Sequence, residues 1–205
     1  MESKERVLGK AHELFNRYGF KRVTMDEIAL KTGMSKKTIY QLFANKDEIV
    51  DAVVEELLNR SKQSCEQNTD KAENAVHEIF LNINMTQELM CEMNPAVYED
   101  MEKFFPAVFA KFFHYKNNYI AEKVHKNLRR GIKEGLFRED LNVDVITKFR
   151  IASMFIPFNQ DVFPYGKYNL AEVEVEILEL YLHGISTLEG QKLIQKYKQQ
   201  KIKNY

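Results

Sequence analysis

With 205 residues, 44% of them hydrophobic, the chain can bury a sizeable core as one large domain or as one domain with a smaller companion. Thirty basic side chains balance thirty acidic ones, which excludes a chain-wide polyanion-binding surface, although residues 1–48 hold ten basic against seven acidic groups, a local net of +3. Cys65 and Cys91 lack CxxC spacing, which excludes a disulfide scaffold and fits idle thiols in a reducing compartment. The opening MESKERVLGK has no apolar run of a secretion signal, and no stretch reaches the ~20 apolar residues of a membrane span. A soluble cytoplasmic protein is expected, with no membrane partner.

Eight glycines and four prolines in a helix-periodic chain predict an all-α fold. Val7/Leu8, Ala11, Leu14/Phe15 and Tyr18 repeat at helical spacing, and Gly19 stops that first helix. Thr24-Met-Asp-Glu27 has capping-box form and opens a short helix that ends at Gly33. Ser35 caps the next, with Ile39, Tyr40 and Phe43, and Asn45-Lys-Asp-Glu48 caps a longer one. The polar stretch SCEQNTDKAEN reads as a connection. A helix then runs through Val76 to about Cys91, and Asn94-Pro95 reads as an N-cap followed by proline at the first helical position. Pro106 opens a long helix towards Gly135, and Asn142 caps VDVITKFRIASMFIPF. NQDVFPYGKYN is a loop. Asn169 with Glu172 starts LAEVEVEILELYLHGISTL, and the basic tail QKLIQKYKQQKIKNY is a further helix.

Two short helices joined by the glycine-containing turn TGMS make a helix-turn-helix arrangement, in which the second helix enters the major groove of DNA. This explains Lys36 and Lys37 at a helix N-terminus, where the helix dipole opposes positive charge by a few tenths of a kcal/mol. With Thr38 they are placed to meet base edges, and contacts to phosphate or guanine would offset the dipole. Thr24 and Lys46 stand at two further helix starts, where phosphates bind well. Tyr40 can pack its ring inward and extend its hydroxyl to a phosphate.

The run AHELFNRYGFKRVTMDEIALKTGMSKKTIYQLFANKDEIVDAV resembles the DNA-binding region of the tetracycline-repressor (TetR) family. The matching elements are Ala11, Leu14, Phe15, Gly19 and Phe20, then TMDEIA at 24–29, GMSKKTIY with Phe43, and NKDEI at 45–49. The resemblance implies an all-α homodimer with a three-helix DNA-binding head at 1–48 and a larger helical ligand-binding and dimerisation domain at 49–205. It implies two heads on a pseudo-palindromic operator in double-stranded DNA, released by a small-molecule effector. Carried across residue by residue, Lys36, Lys37, Thr38 and Gln41 approach bases. Thr24, Tyr40 and Lys46 hold phosphates, and Ser35 joins the set as the cap between them. The family often has a polar or aromatic residue where this chain has Leu42, which leaves that position a thymine methyl as its base contact.

Beyond residue 67 the signal is compositional. Phe104, Phe105, Phe109, Phe112, Phe113, Tyr115 and Tyr119 fall within sixteen positions. With Phe149, Phe155 and Phe158 they are candidates to line a cavity for an apolar or aromatic ligand; ordinary core packing is the alternative for each. Residues 170–188 and 143–158 each carry two apolar stripes, where a surface helix needs one. One stripe of 143–158 is Val145, Phe149, Ala152 and Ile156. Burial against a second copy follows, with Ile146, Ile151, Met154, Val173, Ile177, Leu180, Tyr181 and Gly184 as interface candidates.

Five histidines show no metal-ligand spacing, and GxSxG, Walker A and GxGxxG are missing. Neither enzyme, metal nor cofactor is expected. The alternative to a ligand-responsive repressor is a helical small-ligand carrier or scaffold without specific DNA binding.

Overall fold

The structure is a computed structural model that describes residues 2–164 and 166–203. Thr24, Ser35, Asn142 and Asn169 each start a helix by accepting from its first free backbone N–H groups. Eleven α-helices are present among the described residues: α1 Glu2–Tyr18, α2 Met25–Thr32, α3 Lys36–Leu42, α4 Lys46–Lys71, α5 Ala75–Glu92, α6 Ala96–Phe104, α7 Pro106–His114, α8 Ala121–Lys133, α9 Val143–Ser153, α10 Leu170–Ile185 and α11 Leu188–Lys203. A π-helical turn, Tyr115–Ile120, and a 3-10 turn, Ile156–Phe158, complete them. No described segment forms a named strand; Phe137 and Ser186 make one isolated bridge. The all-α expectation holds.

The chain forms two compact units, residues 1–62 with 92–114, and residues 63–91 with 115–205. The first closes on Val7, Ala11 and Phe15 of α1, Ile28 of α2, Ile39 of α3 and Ile49, Val50 and Val53 of α4. Val97, Met101, Phe105 and Val108 from α6 and α7 enter the same core. Phe20 joins the two sets, its ring 5.1 Å from Phe15 and 5.8 Å from Phe105, both edge-on. Gly19 lies at φ +82°, and a Cβ there would stand 2.7 Å from Asp100 Oδ2. That carboxylate accepts from Lys21 N at 2.8 Å, while Asn94 Nδ2 donates to Arg17 O at 3.0 Å. The end of α1 is thus finished by side chains from about eighty residues away.

The second unit packs Ala75, Val76 and Ile83 of α5, Leu128 of α8, Val143 of α9, Leu178, Leu182 and Ile185 of α10, and Ile194 of α11. Arg138 N donates to Ile185 O at 2.9 Å and Thr187 N to Leu136 O at 3.0 Å, which ends α10 before the expected STL. Thr187 then caps α11, accepting from Gly190 N at 3.2 Å, so the last helix starts earlier than its basic tail suggests.

Three other elements depart from the sequence expectation. SCEQNTDKAEN is mostly helix: α4 runs to Lys71 because its polar groups find partners sideways. Asn68 Nδ2 donates to Asn82 Oδ1 at 3.0 Å, and the Thr69 hydroxyl lies within reach of both Cys65 O and Glu78 Oε1. The helix opened by Pro106 reaches Lys133 only through the π-helical turn. The helix capped by Asn142 stops at Ser153, since carried further it would put Pro157 where a backbone N–H is needed. At Asn94-Pro95 the cap is as expected, with Asn94 Oδ1 accepting from Ala96 N at 2.9 Å, although α6 begins at Ala96.

Candidate nucleic-acid interface

Every turn around α3 is built by short-range bonding. Thr24 accepts from Glu27 N at 3.3 Å while Glu27 Oε2 accepts from Thr24 N at 2.7 Å, a complete capping box. The bonds from Thr24 hold the exposed Glu27 carboxyl below its ordinary range. At the far end of α2, Gly33 takes the left-handed conformation at φ +66°, which a Cβ-bearing residue enters only with strain. Met34 N then returns to Ala29 O at 3.1 Å, and Ser35 caps α3 by accepting from Thr38 N at 3.1 Å. Ser35 Oγ and Thr38 Oγ1 are also hydrogen-bonded, 2.8 Å apart.

Ile39 and Phe43 are buried and fasten α3 to the core of the first unit. Leu42 is half-buried and packs on the same core, which accounts for an apolar residue at that position. Lys36, Lys37, Thr38, Tyr40 and Gln41 remain exposed together on this short helix, with Thr24 and Ser35 exposed at the two caps. Lys36 pairs with Asp26 at 2.5 Å, but both groups are open to solvent, where such a pair is worth about 0–1 kcal/mol and yields easily. Lys37 has no partner among the described residues. The tip of α3 therefore presents one uncommitted cation, one weakly held cation and three neutral hydrogen-bonding side chains.

Lys46 has different surroundings. Its ammonium donates to Phe20 O at 3.0 Å, Lys21 O at 3.2 Å and Val23 O at 3.0 Å, and stands 5.5 Å from the centre of the Phe105 ring. Partial burial lowers its pKa, while Asp47, Asp100 and Glu27 pull the other way. All three donors serve to hold the loop between α1 and α2 against the start of α4. A run of apolar residues with a lysine at a helix start gives no hint of this in sequence, because the acceptors are backbone carbonyls more than twenty positions away.

The aromatic candidates fall into two groups, one in each unit. Phe105 is buried in the core of the first unit, and Phe109 and Phe112 pack on that core with rings 6.0 and 5.9 Å from Tyr98. Phe104 and Phe113 are more exposed, and Lys21 Nζ lies 4.2 Å from the Phe104 ring centre. In the second unit Tyr119 stacks on Tyr115 and donates its hydroxyl to Glu66 at 2.8 Å; burial, then that bond, pushes its pKa well up. Phe155 lies 6.2 Å from Phe158 under Lys116, while Phe149 is exposed.

Of the interface candidates, Ile151, Val173 and Tyr181 are buried within the second unit. Ile146, Met154 and Ile177 are half-buried, and Leu180 and Gly184 are exposed. Val145, Phe149 and Ile156 form an exposed apolar stripe along α9 and the turn after it, whereas on α10 Leu180 and Gly184 share the exposed face with Glu172 and Glu176.

Sequence reading missed Arg150 and Glu174. Arg150 Nη2 donates to Glu174 Oε1 at 2.7 Å, with both side chains buried. The signal was present: Glu174 occupies a core position of α10, between Ala171 and Leu178. Elsewhere, no group of three His, Cys, Asp or Glu among the described residues could hold a metal ion, and none of the described helices is long and apolar enough to cross a membrane.

Residues 7–53 match the model for bacterial regulatory proteins of the tetR family. Over 191 residues the chain is 25% identical to the HTH-type transcriptional regulator YhgD of Bacillus subtilis (strain 168), covering 89% of this chain and 95% of that protein. It is 23% identical over 194 residues to the HTH-type transcriptional repressor KstR2 of Mycolicibacterium smegmatis, covering 92% and 93%. The solved structure of the transcriptional regulator FadR from Bacillus subtilis, in complex with stearoyl-CoA, has the same fold, with a TM-score of 0.69, 20% identity and coverage of 88% and 98%.

Proposed function

We propose, for a chain that belongs to the tetracycline-repressor (TetR) family of transcriptional regulators, that it represses transcription as a ligand-responsive homodimer on a pseudo-palindromic operator. The observation that carries this reading is the exposed tip of α3, where Lys36, Lys37, Thr38 and Gln41 stand free of the core on a helix anchored by Ile39 and Phe43. In the major groove these side chains reach base edges. Thr24 and Tyr40 contact phosphates on either side. Lys46 adds positive field at the backbone while its ammonium fixes the loop that carries Thr24. Functionally, residues 1–48 are the DNA-binding head and 49–205 the ligand-binding and dimerisation part.

The exposed stripe on α9, together with Leu180 of α10, supplies an apolar face for a second copy. Two heads held by such a dimer read half-sites about one helical turn apart. A small apolar effector that favours a different dimer lowers operator affinity, and a differential affinity worth about 1–3 kcal/mol is enough. The stearoyl-CoA in FadR and the repressor KstR2 support an effector-controlled repressor. Their roles also argue against catalysis, and the composition argues for a soluble cytoplasmic protein.

A gel-shift series on DNA upstream of the coding region tests the reading. A shifted complex that weakens steeply with salt is expected, at a stoichiometry of two chains per operator. No salt-sensitive shift with any genomic fragment would refute it, and a 24.2 kDa species in light scattering at micromolar concentration would refute the dimer.

A further inference from the structure

The second unit holds two buried acidic side chains with opposite fates. Glu78 is fully engaged: Oε1 accepts from Thr69, and Oε2 accepts from Asn127 at 3.1 Å and Arg130 at 3.2 Å. Glu174 is 0% exposed and accepts only from Arg150, leaving Oε2 buried without a hydrogen-bond partner. Buried acceptors are nearly always satisfied, so an unused one asks for a donor. Arg150 is itself under-used. Its guanidinium has five N–H donors, one of which meets Glu174, while another reaches Ser153 Oγ only at the 3.5 Å limit. The Tyr181 ring lies 5.5 Å from the guanidinium carbon.

The geometry points to this pair as the polar anchor of the effector site: Arg150 and Glu174 together take the neutral head group of an apolar molecule, a hydroxyl or a carboxamide. The inference rests on the ligand-binding reading of residues 49–205. The pair is neutral as a whole, so it offers no net attraction to an anionic or cationic head. What it has to spare is a donor on Arg150 and an acceptor on Glu174 a few ångströms apart. A hydroxyl or amide complements both; an acceptor-only ketone satisfies Arg150 and leaves Oε2 unpaired. Glu174 is fully enclosed, so entry requires local repacking, and the π-helical turn Tyr115–Ile120 packs against α9, where such an irregular turn permits it. Slow association is the consequence.

The test is calorimetric titration of the full chain with 1-decanol, decanamide, decanoate and decylamine. The neutral pair is expected to bind at least tenfold tighter than either charged probe. In an R150M/E174M variant, which replaces the pair by apolar groups of similar volume and should fold, decanol and decanamide should each lose at least tenfold in affinity relative to the parent protein, because their polar heads no longer find a partner. Glu174→Gln provides a second arm, because its amide keeps an oxygen for Arg150 and puts an N–H₂ donor in place of Oε2. The acceptor-only 2-undecanone should then gain on decanol relative to the parent protein. Tighter or equal binding of decanoate or decylamine, no binding of decanol and decanamide, or undiminished binding of both to R150M/E174M with an unchanged 2-undecanone to decanol ratio in Glu174→Gln overturns the proposal. Gel shifts without added probe are scored separately: loss of DNA binding would sink the repressor reading and leave the binding result standing.

Discussion

The lysine-centred cluster of the first unit and the arginine-centred cluster of the second handle charge in opposite ways. In the first unit the Lys46 ammonium spends its three donors on three backbone carbonyls, at the edge of solvent and without needing a carboxylate. In the second, Arg150 and Glu174 are both buried, and half of the carboxylate goes unused. A cation that satisfies main-chain acceptors fixes a loop. A buried pair with one atom unpaired is a poor contributor to stability, because its Coulomb gain must offset the desolvation of two ions. The contrast suggests that the head is built to be rigid and the α9–α10 region to be persuadable by a ligand.

The largest effect expected from breaking this comparison is on the pair. Arg150→Met leaves Glu174 buried without any partner and should cost about 3–5 kcal/mol of unfolding free energy in urea titration. The R150M/E174M variant should recover most of it and fall within about 1 kcal/mol of the parent. If the double variant is as unstable as the single one, the pair is a structural necessity and not a site held at some cost. Burial raises the Glu174 pKa, with Arg150 opposing that rise, and Tyr181 is the other titratable group beside the pair. A carboxyl whose pKa is raised on folding stabilises below its unfolded pKa, and that contribution is lost as pH rises through the folded value. The double variant should therefore lack this acid-side gain.

A smaller effect separates two lysines of the head. Lys46→Ala should lower stability by about 2 kcal/mol, the scale of hydrogen bonds to a charged group, and should weaken all DNA sequences alike. Lys37→Ala should leave the melting temperature unchanged within error and cost about 1–3 kcal/mol of affinity at one operator position only. Denaturation curves and gel shifts on a set of operator variants read both. Equal loss of stability in the two variants would remove the distinction between a lysine that fixes the loop and one that is free to read DNA.

Legibility divides along the same line. Thr24, Glu27, Gly33 and Ser35 announce the head because each acts within three or four residues, and the sequence shows such spacing directly. Leu42 looked anomalous as a groove residue and becomes ordinary once it packs on the core. The extension of α4 to Lys71 was hidden because Asn68 and Thr69 pack through hydrogen bonds to α5, which leave no apolar period. The Arg150–Glu174 pair spans twenty-four positions and two helices. Only a lone acidic residue in a core register of α10 marked it. The aromatic segment of α6 and α7 resembled a pocket lining as readily as packing, and Phe20 on Phe105 draws one end of it into the first unit's core.

The smallest effect tests how local the head's stability is. Glu27 is exposed, and the bonds from Thr24 hold its carboxyl below the ordinary range. A carboxylate whose pKa falls on folding stabilises above its unfolded pKa, and the contribution is lost as pH drops through the lowered folded value. At neutral pH, Glu27→Ala should then lower the melting temperature slightly, through the lost half of the capping box. As pH falls through the lowered carboxyl pKa, the two melting curves should converge. Ser35→Ala removes a cap with no titrating partner, so its deficit should stay constant over the same range. Convergence for Glu27 alone would trace the effect to one carboxylate held by one threonine. Convergence for both would mean that the head loses stability in acid through some other group, and that α2 owes less to its own capping box than the bonding pattern indicates.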